Sequence, residues 1–150
     1  MKLQHIILAL ATTAMLATSC DEKQILPGDP APNQLDSLEN KNIVVTCAEA
    51  AAIAKALEAN NTATAEVYSI TGYVQKDGYS DEISRGQQKW FWVADEPNGG
   101  KVFEAYWCNV PNSEAVPIGA KVRLIGSLMR YNQTPEMKNG KVLLLEAPAE

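Results

Sequence analysis

Residues 43–150 of the sequence predict an all-β domain, a five-stranded antiparallel barrel with one N-terminal helix. From Thr64 onward, apolar and polar residues alternate with the period of two that a half-buried strand requires. Short turns rich in Gly, Asn and Pro separate five such runs, which is typical of small barrels and sandwiches. Gly72 and Gly126 each lie inside a run, where a glycine allows the sharp bend that closes a sheet on itself.

The helix is predicted to start after Thr46 and to run to about Ala59. Thr46 and Glu49 form a capping box, in which each side chain accepts a hydrogen bond from the backbone amide of the other residue. The alanine-rich stretch that follows favours helix, and Asn60-Asn61 end it. Its apolar stripe consists of Cys47, Ala50, Ala54 and Leu57. Small residues at this spacing indicate close packing against another element.

The five predicted strands cover residues 67–75, 88–94, 101–109, 120–131 and 141–146. The connections between them are the loop 76–86, the turn 95–100, the connector 111–117, the turn 132–135 and the turn 138–140. Connections this short join neighbouring antiparallel strands, so we expect the sheet to close into a small barrel.

Four segments carry a resemblance to a known fold. Residues 116–126 (VPIGAKVRLIG) resemble strand four of OB-fold domains, in which Gly-x-x-Val-x-hydrophobic-x-Gly recurs. Residues 131–137 (YNQTPEM) resemble the turn between strands four and five of OB-like domains in Gram-negative lipoproteins of uncharacterised function, and residues 46–50 and 92–95 fit the same group. Ala120 departs from the pattern, since Asp is frequent there. The resemblance implies an OB-fold-like barrel and nucleic acid as the class of ligand.

Residues 1–19 predict a signal peptide rather than part of the fold. The start is short and positively charged, and the apolar run 6–16 is too short to span a bilayer. The small residues directly before Cys20 resemble the lipobox of bacterial lipoproteins, with Ala17 where Leu is more common. This resemblance implies cleavage before Cys20 and lipidation of its thiol. The alternative is an ordinary secretory signal followed by a chance cysteine.

Residues 20–42 predict a flexible tether that begins with the lipidated cysteine. The segment contains Pro27, Gly28, Pro30 and Pro32 among polar side chains, so it cannot bury enough apolar area to offset the entropy of ordering. Asp21-Glu22-Lys23 either resembles the surface-export signal of Gram-negative lipoproteins or is only the solvated start of the tether. We expect a lipid anchor in the outer membrane, on its periplasmic or its cell-surface face.

The charge balance argues against strong nonspecific binding of polyanions. Removing residues 1–19 takes Lys2 from the 13 basic residues, which leaves 12 against 18 acidic ones and a net charge of −6. Nonspecific binding of nucleic acid depends on many Lys and Arg contacts to phosphate. Residues 83–141 nevertheless hold 8 basic and 5 acidic residues, so a locally basic face stays open.

The predicted domain lacks the motifs of catalysis, so we expect neither an enzyme nor a cofactor or metal. His5, the one histidine, belongs to the signal peptide, which excludes Ser-His-Asp, Cys-His and His-ligated zinc sites. Asp81-Glu82 and Asp95-Glu96 fit solvated turn positions and lack the spacing of an EF-hand. Cys47 and Cys108 remain after lipidation, and either a disulfide or two buried free thiols fits them.

Strand alternation places a set of aromatic and basic side chains on the outside of the barrel. If Phe91 and Val93 face the core, the tryptophans beside them face outward. On the third strand, Phe103, Ala105 and Trp107 share one face, and Glu104 and Tyr106 share the other, which a glutamate makes the outer one. The candidate ligand-binding residues are therefore Lys89, Trp90, Trp92, Tyr106, Arg123, Arg130 and Tyr131. The alternatives are an inverted register, or tryptophans covered by the helix or by the loop 77–86.

These features predict a membrane-anchored lipoprotein whose barrel binds an extended ligand through an aromatic outer face. Single-stranded nucleic acid is the ligand that the OB-fold resemblance implies, and an oligosaccharide fits the aromatic residues and the acidic net charge equally. The alternative is a structural or protein-interaction component of an envelope complex that binds no small ligand. The predicted partners are thus the membrane, a single-stranded nucleic acid or glycan, or an envelope protein.

Overall fold

The computed structural model describes residues 42–149. The predicted signal peptide, Cys20 and nearly all of the predicted tether lie outside the described residues, and the expectations for them stay predictions. Within residues 42–149, no helix combines the length and the apolar composition that crossing a membrane requires.

The described chain is built mostly of strands with a single short α-helix, which confirms the predicted all-β class. The strands are β1 (Ile43–Val45), β2 (Tyr68–Val74), β3 (Ile83–Ser84), β4 (Gln87–Ala94), β5 (Phe103–Asn109), β6 (Lys121–Gly126), β7 (Met129–Tyr131), β8 (Thr134–Lys138) and β9 (Lys141–Glu146). The helix α1 (Cys47–Ala56) lies between β1 and β2, and a 3-10 turn (Pro111–Ser113) follows β5.

The strands close into a five-stranded barrel. β2 pairs with β4 and β6, β4 with β5, and β6 with β9. β5 completes the circle by pairing with β8 and β9. β6 pairs with β9, and β7, which follows β6, pairs with β8, which precedes β9. We therefore count β6 with β7 as one bent strand of the barrel, and β8 with β9 as another. The predicted barrel is therefore confirmed.

The pairing is mixed rather than purely antiparallel as predicted. β5 runs parallel to β8 and β9, and β1 runs parallel to β2. The last hairpin brings its returning strand beside β5 in the same direction, and local turn signals cannot show a pairing between strands so far apart in the chain. This parallel contact joins β4 and β5 to the hairpin of β7 and β8 on the outer surface of the barrel.

The predicted turn over 132–135 is too long. Only Asn132 and Gln133 form the turn, with φ of 45° and 73°, and Tyr131 already pairs with Thr134. Two residues with positive φ suffice for a tight hairpin, whereas Thr-Pro after them resembles the continuation of a loop. The structure therefore contains a strand, β8, where the sequence predicted only turns.

The core is formed by the inner faces of the five strands and by one face of α1. Its largest fully buried side chains include Ile70, Phe91, Phe103, Leu124, Leu128 and Met137. Cys47 lies so close to Gly72 that a Cβ at the glycine would approach its Sγ to 2.5 Å. The small residues of α1 thus allow the close packing that the sequence predicted. Cys47 and Cys108 are buried free thiols rather than a disulfide.

The barrel holds α1 at both ends. At the start, the Asp95 carboxylate accepts hydrogen bonds from the backbone amides of Cys47 (2.7 Å) and Ala48 (3.1 Å). The predicted capping box of Thr46 and Glu49 is also present. At the end, the Arg130 guanidinium donates to the carbonyls of Lys55 (3.1 Å) and Glu58 (3.0 Å), and the helix stops at Ala56 rather than near Ala59. Asp95 and Arg130 therefore satisfy helix-end groups that would otherwise lack partners.

Candidate ligand-binding face

Trp90 and Trp92 lie on the outer surface of β4. Phe91 and Val93 are both 0% exposed, so their neighbours on the strand point away from the core. This is the register that the sequence predicted for these residues. Both indoles are half-buried rather than open, because other side chains lie over them. Lys89 Nζ lies 4.7 Å from the Trp90 ring centroid, and Lys101 Nζ lies 5.9 Å from that of Trp92.

The loop before β3 covers part of Trp92. Gly78 has φ of 71°, and a Cβ on it would lie 2.5 Å from Trp92 Cδ1. The loop is held in place because Ser80 N donates to Trp90 O (2.9 Å) and the fully buried Gln88 donates from Nε2 to Ser80 O (2.8 Å). The alternative prediction, that the loop 77–86 covers the tryptophans, is therefore partly correct for Trp92. The part of the Trp92 ring that stays accessible is the surface that a ligand could contact.

On β5 the predicted alternation fails at Trp107. Phe103 and Ala105 face the core as predicted, but the next buried residue is Cys108, three positions after Ala105. Trp107 has φ of 46°, which turns the backbone and removes its side chain from the core position. Tyr106 stays outside and meets the Trp107 ring edge-on, with centroids 6.3 Å apart. Nothing in the sequence around Trp107 predicts that the alternation of inner and outer side chains shifts by one residue at this point of β5.

Strand pairing arranges the outer side chains in two rows across β4, β5, β8 and β7. In the first row, Trp92 lies opposite Glu104, Glu104 opposite Glu136, and Glu136 opposite Met129. The second row contains Trp90, Tyr106 and Lys138. Tyr131, at the end of β7, is 49% exposed. We call this surface the aromatic face.

A cavity of about 500 Å³ opens in the aromatic face. It is lined by Asn61, Glu104, Tyr106, Met129, Tyr131, Glu136 and Lys138, and we call it the acidic pocket. Glu136 is only 4% exposed, it makes no hydrogen bond with the described residues, and its carboxylate oxygens keep access to solvent through the cavity. Five of these residues (Asn61, Glu104, Met129, Glu136 and Lys138) were not predicted as site residues, because the sequence did not predict β8 and so gave no neighbour to Glu104.

The two carboxyl groups of the acidic pocket share an environment that disfavours their charge. Burial, and then the negative charge of Glu136, raises the pKa of Glu104 to about 7, while Lys101 acts in the opposite direction. Burial also raises the pKa of Glu136, against the attraction of Lys138.

No lysine in the described residues forms an ion pair with either glutamate of the acidic pocket. The nearby Lys138 lies over the Tyr106 ring, 5.7 Å from its centroid, and Lys89 pairs with Glu82 at 2.6 Å. The pocket therefore contains two adjacent carboxyl groups between aromatic walls, with unused capacity to accept hydrogen bonds.

The structure separates two predicted site residues from the aromatic face. Arg123 lies on β6, where its strand neighbours are Thr71 of β2 and Leu143 of β9. Arg130 is on β7, but its guanidinium is engaged at the end of α1. The predicted residues that do come together are Lys89, Trp90, Trp92, Tyr106 and Tyr131.

Within residues 42–149, no group of three or more His, Cys, Asp or Glu side chains is arranged to hold a metal ion. No family model matches the chain, and no curated protein matches it. The function is therefore argued from the geometry and chemistry of the aromatic face.

Proposed function

We propose that this protein is a membrane-anchored lipoprotein whose barrel binds an extended oligosaccharide through the aromatic face. The observation that carries this proposal is the combination of half-exposed rings with a carboxyl-lined cavity on one surface. The apolar faces of sugar rings pack on aromatic side chains, and sugar hydroxyls donate hydrogen bonds to carboxylates. Trp90, Tyr106 and Tyr131 provide the rings, while Glu104 and Glu136 provide the acceptors.

The order of strand pairing supports a relationship to OB folds. In such barrels the outer face of strands two and three binds oligonucleotides or oligosaccharides. β4 and β5 occupy those positions in this barrel, counting β2 as its first strand. The rings of the aromatic face lie on the same two strands and on the hairpin beside them.

The charge of the acidic pocket favours sugar over nucleic acid. A phosphate that entered the pocket would approach Glu104 and Glu136, and burial followed by the charge of Glu136 already raises the pKa of Glu104. Phosphate contacts supply most of the binding energy of nucleic acids, and a surface of this kind offers few. Single-stranded nucleic acid is therefore the less favoured ligand.

Binding of both ligand classes is tested by tryptophan fluorescence at low and high salt. We expect a neutral oligosaccharide to bind with little dependence on salt, whereas nucleic acid affinity would fall steeply as salt rises. Trp90→Ala should weaken sugar binding by roughly 5- to 150-fold, because stacking on one aromatic ring contributes about 1–3 kcal/mol. Tyr73→Ala, on β2 outside the aromatic face, is the matched control. Absence of binding to both ligand classes would contradict the proposal and favour a protein-interaction role in an envelope complex.

Membrane anchoring is proposed from the lipobox-like sequence before Cys20. Two or three acyl chains give far firmer anchoring than one, since each buried methylene adds about 0.8 kcal/mol. Labelling with radioactive palmitate should mark the protein and should fail in Cys20→Ser. Recovery of the unlabelled variant in the membrane fraction at the level of the unchanged protein would contradict a lipid anchor.

A further inference from the structure

The acidic pocket contains a largely buried acid, Glu136, that interacts with Lys138 through electrostatic attraction rather than through a direct ion pair. Glu136 is 4% exposed, lines the cavity and accepts no hydrogen bond from the described residues. An ionised carboxylate in such a place is costly unless a cation or a hydrogen-bond donor compensates it. Glu104 lies directly opposite on the neighbouring strand, so the same space adjoins a second carboxyl group.

The cationic side chains around the pocket compensate this charge only in part: Lys101 attracts Glu104 and Lys138 attracts Glu136, yet burial still raises the pKa of both carboxyl groups. Lys101 lies over Trp92, and Lys138 lies over Tyr106 at 5.7 Å from the ring centroid. In the part of the chain that the structure describes, neither lysine forms an ion pair with a glutamate of the pocket. The ion pairs found there, Lys89–Glu82 and Lys121–Glu146, lie outside the pocket. The remaining polar groups on the pocket wall are the amide of Asn61 and the phenols of Tyr106 and Tyr131.

We propose that the acidic pocket binds a protonated primary amine, and hence that the oligosaccharide carries free amino groups. An ammonium group has three donors and no acceptor, which matches a cavity lined by two carboxyl groups. The rings of Tyr106 and Tyr131 on the same wall favour a cation electrostatically. A volume of about 500 Å³ admits a sugar residue as well as its amino group. This inference rests on the proposed binding of oligosaccharide.

The test compares glucosamine hexamers with N-acetylglucosamine hexamers at pH 7. The two probes share one backbone and differ in whether the amine is free. With the full chain in non-ionic detergent, we expect calorimetry to show about tenfold tighter binding of the free-amine form, as a charge-assisted hydrogen bond requires. Glu136→Gln should bring the ratio of the two affinities close to one, whatever its effect on binding of the acetylated form, and Glu104→Gln should reduce that ratio.

Glu114→Gln is the matched control. Glu114 is exposed and lies outside the pocket, and its replacement removes the same charge as Glu136→Gln. If Glu114→Gln lowers the preference as much as Glu136→Gln, the amine is attracted only by the net negative charge, and the inference is wrong. If both hexamers bind equally to the unchanged protein, the inference is wrong while the proposed function stands. If neither hexamer binds, the proposed function fails with it.

Discussion

Replacing Glu104 by Gln should stabilise the protein at alkaline pH and change its stability little at acid pH. The pKa of Glu104 is about 7 in the folded protein against an ordinary value of 4.5. The folded state thus keeps its proton to a higher pH than the unfolded state, so stability is lost as the pH rises from about 4.5 to about 7. Gln carries no charge and avoids this loss.

The size of the effect follows from the two pKa values. Linkage gives a cost of about 0.8 kcal/mol at pH 5 and about 3 kcal/mol at pH 8 for a single carboxyl group. Partial solvent screening of a half-buried side chain reduces this difference to about 2 kcal/mol. Glu104→Gln should therefore gain about 2 kcal/mol of unfolding free energy over the unchanged protein between pH 5 and pH 8.

Urea unfolding followed by tryptophan fluorescence at pH 5, 6, 7 and 8 measures this difference. Glu114→Gln is the control, because it removes the same charge from an exposed position outside the acidic pocket. A constant difference for Glu104→Gln, or one that shrinks toward pH 8, would refute the reasoning. It would mean that the charge of Glu104 is compensated in the folded protein.

Three further substitutions test the packing of α1 on the barrel by thermal and urea unfolding. Asp95→Ala removes the acceptor for two helix amides and should lower the free energy of unfolding by about 1–2 kcal/mol, whereas Asp95→Asn should retain much of the cap. Equal losses of stability in the two variants would contradict a capping role. Arg130→Ala should cost about 1–2 kcal/mol and reduce helical circular dichroism; an unchanged spectrum and stability would show that its hydrogen bonds to the helix end contribute nothing. Gly72→Ala should destabilise by about 1–3 kcal/mol, since its Cβ would press on Cys47 Sγ and Ala94 O; neutrality would mean that the helix shifts freely.

The prediction of the outer register on β4 succeeded because it depends on backbone geometry alone. Successive side chains of a strand point to opposite faces, so burial of Phe91 and Val93 leaves the tryptophans outside. The same rule failed on β5, where the positive φ of Trp107 moves Cys108 into the core position. Local alternation carries no information on such an interruption.

The acidic pocket could not be predicted because its parts come from distant segments. Glu104 was predicted to face outward, but Glu136 was assigned to a turn region, and neither residue is informative without the other. Their approach depends on the parallel pairing of β5 with β8. Asn61, from the segment after α1, reaches the same cavity through tertiary packing.

The sequence by itself determined most of the strand segments, the presence and capped start of α1, and the outward position of the tryptophans. These properties follow from side-chain spacing and from hydrogen bonds between near neighbours in the chain. Only the tertiary structure decided that Arg130 caps a helix, that Arg123 lies away from the aromatic face and that two glutamates share one cavity. Those outcomes depend on which strands meet when the sheet closes, and pairing between distant strands is selected by the packing of the whole core.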